Sequence, residues 1–201
     1  MVALDTLIGT PDGWSTMGAV QVGDRVFDHD GKPTTVVWKS EVLTERTFEV
    51  VMVDGERIVA GERHQWNVAT GADCKGRGRS ADAWAHTRTV TTSELAALLR
   101  SERDPVSIPA GGPVPGDRPW PSEYRQIRSI VEVDPEPMQC IQVDNDRGLY
   151  RVGRTHLVTH NSICLLMGAL QFVDVPGYNA MIFRRTITDL KLQDGLIDVS
   201  H

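Results

Sequence analysis

The sequence predicts an all-β body followed by a small α/β segment. Three observations carry this. Short stretches rich in Val, Thr and Ile, divided by turn signals, run over residues 1–68; the same texture returns over 123–161; and after residue 161 a helix-then-strand pattern takes over. β-Branched residues suit a half-buried pleated surface. Residues 6–10 read as a strand closed by Pro11-Asp12-Gly13. Residues 25–28 and 34–39 flank a hairpin turn at His29-Asp30-Gly31-Lys32, and residues 47–53 and 56–60 flank Asp54-Gly55, a strong short-range hairpin signal.

Between about residues 70 and 121 the texture changes. Residues 74–79 read as a flexible loop. Residues 91–100 read as a short helix, with Thr91 and Glu94 at capping-box spacing. The Pro- and Gly-rich stretch 109–121 reads as an irregular linker. The whole span is expected to be a surface insertion without chemistry. Strands resume at 125–133, 139–143, 149–152 and 156–159, separated by Asp144-Asn145-Asp146 and Gly153-Arg154. Residues 163–172 then read as a helix, Pro176-Gly177 as a turn and 180–183 as a buried strand.

The chain has 201 residues, 40% of them hydrophobic, and a net charge of −6. That length suits one domain plus a fragment, and the composition can bury a core. The mild acidity argues against a nucleic-acid-coating role. Cys74, Cys140 and Cys164 are odd in number and lack C-x-x-C spacing, so neither a disulfide framework nor a zinc site is expected. A reducing cytosol is the natural compartment for such a chain. Asp5 interrupts the N-terminus before an apolar run develops, and the longest apolar run, 163–170, falls well short of the ~20 residues of a membrane span. A soluble cytoplasmic protein is expected, without a membrane partner.

His160-Asn161-Ser162 stands where the two textures meet. An asparagine side-chain nitrogen can attack its own backbone carbonyl, form a succinimide and break the chain. A neighbouring histidine can polarise the carbonyl or protonate the leaving amine. A serine hydroxyl can accept an acyl group. The tripeptide by itself carries little information.

Its context carries more. Asp5-Thr6-Leu7-Ile8-Gly9-Thr10-Pro11-Asp12-Gly13-Trp14 with Val22-Gly23-Asp24-Arg25-Val26 resembles the opening block of inteins and related Hint domains. Gly61-Glu62-Arg63-His64-Gln65-Trp66 resembles their histidine-centred second block. Gln139-Cys140-Ile141-Gln142-Val143-Asp144 resembles the late block, and Val158-Thr159-His160-Asn161-Ser162 the terminal one. The blocks stand in family order over residues 1–161. The resemblance implies a horseshoe-like Hint fold over 1–161, with an insertion at about 70–121, that excises itself and joins its flanks.

Trp66, Cys140 and Thr159 resemble the triad of class 3 inteins, found largely in phage genes; the usual Cys or Ser is missing at the N-terminus, where Met1-Val2-Ala3-Leu4 stands. That resemblance implies roles. Cys140 attacks the upstream junction as thiolate, a form that needs local help at neutral pH. His64 binds or protonates the leaving amide. Trp66 positions Cys140, and Thr159 supplies a hydroxyl. Ser162 receives the acyl group, and Asn161 with His160 releases the element. No cofactor or metal is implied for splicing, and the partners are the element's own flanks, the exteins. A monomer is expected.

Two departures stand out. Inteins usually carry Thr three residues before the second-block histidine, where this chain has Gly61, and the late-block histidine is absent near Gly148. Met1 is either the first residue of the element or a start residue before Val2. Either way this chain would hold essentially no upstream flank, which leaves cleavage after Asn161 open to it but not full splicing.

Residues 162–201 resemble the ATPase domain of phage large terminase subunits, inside a bacterial host cell. Ser162 would then be the P-loop serine, with ATP and Mg²⁺ bound only by the spliced host. Three rivals remain. A homing endonuclease would need a longer insertion than 70–121, a β-rich binding module leaves His160-Asn161-Ser162 unexplained, and an ATPase in its own right lacks the glycine-lysine loop.

Overall fold

The computed structural model describes residues 1–71, 87–116 and 124–160. The architecture is mostly β. In chain order the strands are β1 (Val2–Ala3), β2 (Leu7–Thr10), β3 (Gly13–Thr16), β4 (Arg25–Phe27), β5 (Pro33–Lys39), β6 (Leu43–Thr44), β7 (Thr47–Met52) and β8 (Arg57–Gly61). There follow β9 (Gln65–Thr70), β10 (Arg88–Thr91), helix α1 (Thr92–Ser101), β11 (Val106–Pro109), β12 (Tyr124–Val133), β13 (Pro137–Gln139), β14 (Ile141–Val143), β15 (Leu149–Val152) and β16 (Leu157–His160).

Nine strands join one sheet in the order β10-β9-β11-β12-β7-β8-β1-β13-β6, while β14-β5-β4, β15-β16 and β2-β3 form smaller sheets. The hairpins are set by local chemistry. At the β7–β8 turn Gly55 takes φ 94°, which a glycine adopts without steric cost. The β4–β5 turn closes on Asp28, whose Oδ1 accepts the backbone N–H groups of Asp30 and Lys32 at 2.8 Å each. The predicted capping box on α1 is formed in full by Thr91 and Glu94.

A single large cluster fills the interior, including Val50, Met52, Trp66, Leu95, Ile108, Ile127 and Tyr150. Arg151 is buried beside it, and its guanidinium donates to the backbone carbonyls of Asp28, His29, Gly112 and His156. One planar fork thus ties β15 to the β4–β5 turn and to the chain after β11.

Two expectations change. Within the span read as a surface insertion, β10 and β11 join the main sheet, and Leu95 of α1 and Val106 and Ile108 of β11 are fully buried. The stretch 139–143, expected as one strand, is two. Strand β13 pairs with β1 and β6 in the large sheet, β14 pairs with β5 in the smaller one, and Cys140 stands at the break. Ser40 marks the matching break between β5 and β6. Its backbone N–H donates to the Cys140 carbonyl at 3.0 Å, and its hydroxyl accepts the Cys140 N–H at 3.0 Å. The expected loop at 74–79, the end of the linker and everything from Asn161 onward lie outside the described residues, with Cys74 and Cys164 among them.

Candidate splice-junction site

Strand β1 sets the geometry. It runs antiparallel to β13, Val2 facing Gln139 and Ala3 facing Met138. The same register carried one residue further sets Met1 opposite Cys140. The side chains agree, since Met1, Met138 and Cys140 form one buried cluster with Trp38 and Val59 against it. On the other flank β1 meets β8, and the Gly61 N–H donates to the Met1 carbonyl at 3.0 Å. The junction strand therefore lies inside the sheet, between the strand that leads into Cys140 and the strand that leads toward His64.

His64 follows β8 and is only 2% exposed. Its Nδ1 lies 3.3 Å from the α-amino nitrogen of Met1. That nitrogen is an ammonium group here; with a segment upstream it would be the amide nitrogen of the junction, and after cleavage the released amine. The His64 Nε2 meets the Thr159 hydroxyl, which in turn reaches the Gln65 carbonyl at 3.4 Å. One tautomer satisfies every partner: the ammonium donates to Nδ1, Nε2–H donates to Thr159, and Thr159 donates to Gln65. Burial, followed by the positive Met1 amino group and by His160, holds His64 well below the usual histidine range. The ring is neutral, with a lone pair toward Met1.

Trp66 stands edge-on to the His64 ring, centroids 4.8 Å apart and planes at 80°. Its indole N–H donates to the Thr92 hydroxyl at 2.9 Å, and that hydroxyl donates to the His64 carbonyl at 3.2 Å. Trp66 thus acts on the histidine and is itself anchored by the first turn of α1. Thr159 is fully buried on β16, and His160 is half-buried next to it.

The structure therefore brings Cys140 and His64 to the start of the chain, with Trp66 and Thr159 against the His64 ring and His160 next to Thr159 on β16. Asn161 and Ser162 lie beyond the described residues. Local sequence pattern missed Ser40 and Thr92. Only Thr92 left a trace, as the residue after the capping threonine. Among the described residues no group of three or more His, Cys, Asp or Glu is placed to hold a metal ion, and no helix is long and apolar enough to cross a membrane.

Comparisons with known proteins bear on the fold and the family. No family model matches the chain. The crystal structure of the MchDnaB-1 intein is 35% identical and superposes with a TM-score of 0.57, covering 80% of this chain and 100% of that one. The Msm DnaB1 intein splicing domain, crystallised with zinc, is 29% identical with a TM-score of 0.57 over the same shares. Among curated proteins, the replicative DNA helicase DnaB of Mycobacterium leprae (strain TN) is 34% identical over 166 residues, which is 80% of this chain and 24% of the helicase. The chain thus spans about a quarter of that relative. In the DnaB of Mycobacterium intracellulare the match is 44% identical over 107 residues, 19% of that protein.

Proposed function

The chain belongs to the intein family, and we propose that within it this element splices through Cys140 instead of through a residue at its own start. The observation that carries the proposal is the β1–β13 register, which sets Met1 against Cys140 while His64 Nδ1 lies 3.3 Å from the Met1 nitrogen.

Cys140 Sγ adds to the carbonyl carbon that precedes Met1. The carbon–nitrogen bond breaks, a thioester forms, and His64 relays the thiol proton to the departing nitrogen. A neutral imidazole suits this relay because it can accept before it donates. Trp66 and Thr159 hold the ring in its orientation, and burial at attack distance supplies much of the acceleration. The Ser162 hydroxyl then attacks the thioester, forming an ester and returning a proton to Cys140. The Asn161 side-chain nitrogen attacks the Asn161 carbonyl, with His160 assisting, and expels the Ser162 amine. That amine takes the acyl group from its own oxygen and restores a peptide bond.

The host is a separate proposal. Residues 162–201 are read as a terminase-like P-loop segment with Ser162 as the Mg²⁺-binding serine; the mycobacterial relatives are helicases. Nucleotide binding by the ligated product, with its upstream segment restored, tests the P-loop reading.

Intact mass spectrometry tests the splicing route. A soluble domain is fused before Met1, alone and with Cys140→Ala or Asn161→Ala. The parent is expected to give a ligated product lacking the element, Cys140→Ala none, and Asn161→Ala a branched or precursor species. Ligation that survives Cys140→Ala would overturn the route.

A further inference from the structure

Glu45 lies between β6 and β7, outside every motif read from the sequence. Its carboxylate occupies the space beside Gly61 that a side chain would need: a β-carbon built on Gly61 falls directly on it. Gly61 is the residue whose N–H holds the Met1 carbonyl at 3.0 Å, so this carboxylate borders the junction strand. Its Oε1 is buried and has no hydrogen-bond partner among the described residues. An apolar side chain would fill the same gap without leaving a polar atom orphaned.

Three charged groups face Glu45: the Met1 amine from β1, and Glu62 and Arg63 from the β8–β9 turn. The neutral His64 lies against Met1. Burial raises the Glu45 pKa above the ordinary carboxylate range. The Met1 ammonium opposes this, Glu62 reinforces it, and Arg63 opposes it through its charge and its backbone N–H. While the Met1 nitrogen is still an amide, the opposing ammonium is missing and the neutral acid is favoured further.

The upstream step needs such a group. The His64 relay returns only the proton that the thiol lost, which leaves a neutral amine beside a fresh thioester. A neutral amine re-attacks a thioester and an ammonium ion does not. The neutral His64 ring has no second proton to give, because its Nε2–H is committed to Thr159.

We propose that Glu45 is the acid of the upstream junction: its carboxyl protonates the Met1 amine as the acyl group leaves, and the resulting ammonium ion cannot re-attack the thioester. The Glu45 O–H bond breaks, an N–H bond forms, and no oxidant or reductant is required. The assignment rests on Cys140 being the acyl acceptor.

The test uses the fusion with Asn161→Ala and Ser162→Ala, so that only the upstream step remains, with hydroxylamine trapping the thioester between about pH 5 and 9. Glu45→Gln is expected to form thioester roughly 10- to 100-fold more slowly and to lose a break in the rate–pH profile. Glu45→Asp is expected to keep a break, shifted in position. A Glu45→Gln profile that matches the parent in rate and shape overturns the proposal. If Glu45→Gln does not fold, Glu45→Asp decides, and a profile identical to the parent's then overturns it. Thioester that still forms in Cys140→Ala overturns the nucleophile assignment instead, whatever the Glu45 variants do.

Discussion

On the proposed route the two junctions are built in opposite ways. The downstream one is local, since Thr159, His160, Asn161 and Ser162 are consecutive. The upstream one is assembled from distant pieces: Met1 on β1, Glu45 before β7, His64 and Trp66 around the start of β9, and Cys140 between β13 and β14. A site written in consecutive residues depends on one hairpin, here β15–β16. A site gathered from the whole sheet depends on every register holding at once. Thr159 links them, because its hydroxyl meets the ring that faces Met1.

The largest break in this contrast should come from His64→Gln. Thioester formation at the upstream junction is expected to fall about 10²–10⁴-fold, the usual worth of a positioned proton-transfer group. Cleavage after Asn161, followed by mass on the same samples, should fall far less. Equal losses at both junctions would show that His64 serves them alike and would erase the contrast.

A smaller effect is expected from Thr92→Val. It removes the acceptor of the Trp66 indole N–H and the donor to the His64 carbonyl while leaving the core volume nearly unchanged. Urea unfolding should show a loss of about 1–3 kcal/mol, the cost of buried polar groups left unpaired. An unchanged midpoint would mean that the Trp66 orientation is set by ring packing alone.

The smallest expected effect is the pH dependence of stability, and its sign separates His64 from Glu45. His64 is held well below its ordinary value of 6.5, so the unfolded chain binds its proton first. Its contribution is complete above pH 6.5, shrinks below it and is gone once the folded value is passed. Glu45 is raised above 4.5, so its contribution is present below that pH and is lost as pH rises through the folded value. Denaturation midpoints of parent, His64→Gln and Glu45→Gln, compared at about pH 5 and 7.5, should diverge in opposite senses. Parallel curves for all three would remove both assignments.

How much was legible follows the same division. The β7–β8 hairpin could be read because Asp54-Gly55 states its turn locally, and α1 because Thr91 and Glu94 state its start. His64, Trp66, Cys140 and Thr159 could be named because each sits inside a short recognisable block. The break at Cys140 could not be read, because residues 139–143 have uninterrupted strand character and only their partners differ: β1 and β6 before it, β5 after it. Strands β10 and β11 could not be read, because Gly- and Pro-rich neighbours hide strands whose pairing depends on β9 and β12. Glu45 was silent for a further reason. Its signal is the missing side chain at Gly61, sixteen residues away in sequence and adjacent only in space.

The position of β1 between β8 and β13 also has a consequence in time. On a growing chain Met1 is made first, and Cys140 emerges only after nearly the whole sheet has been translated. At ~5–20 residues per second that interval is roughly 7–28 s. Throughout it the proposed nucleophile, Cys140, is missing, however well its neighbours have folded. On the proposed route the topology is therefore a clock as well as a scaffold: an upstream flank gains time to fold as an ordinary protein before the group that would detach it exists.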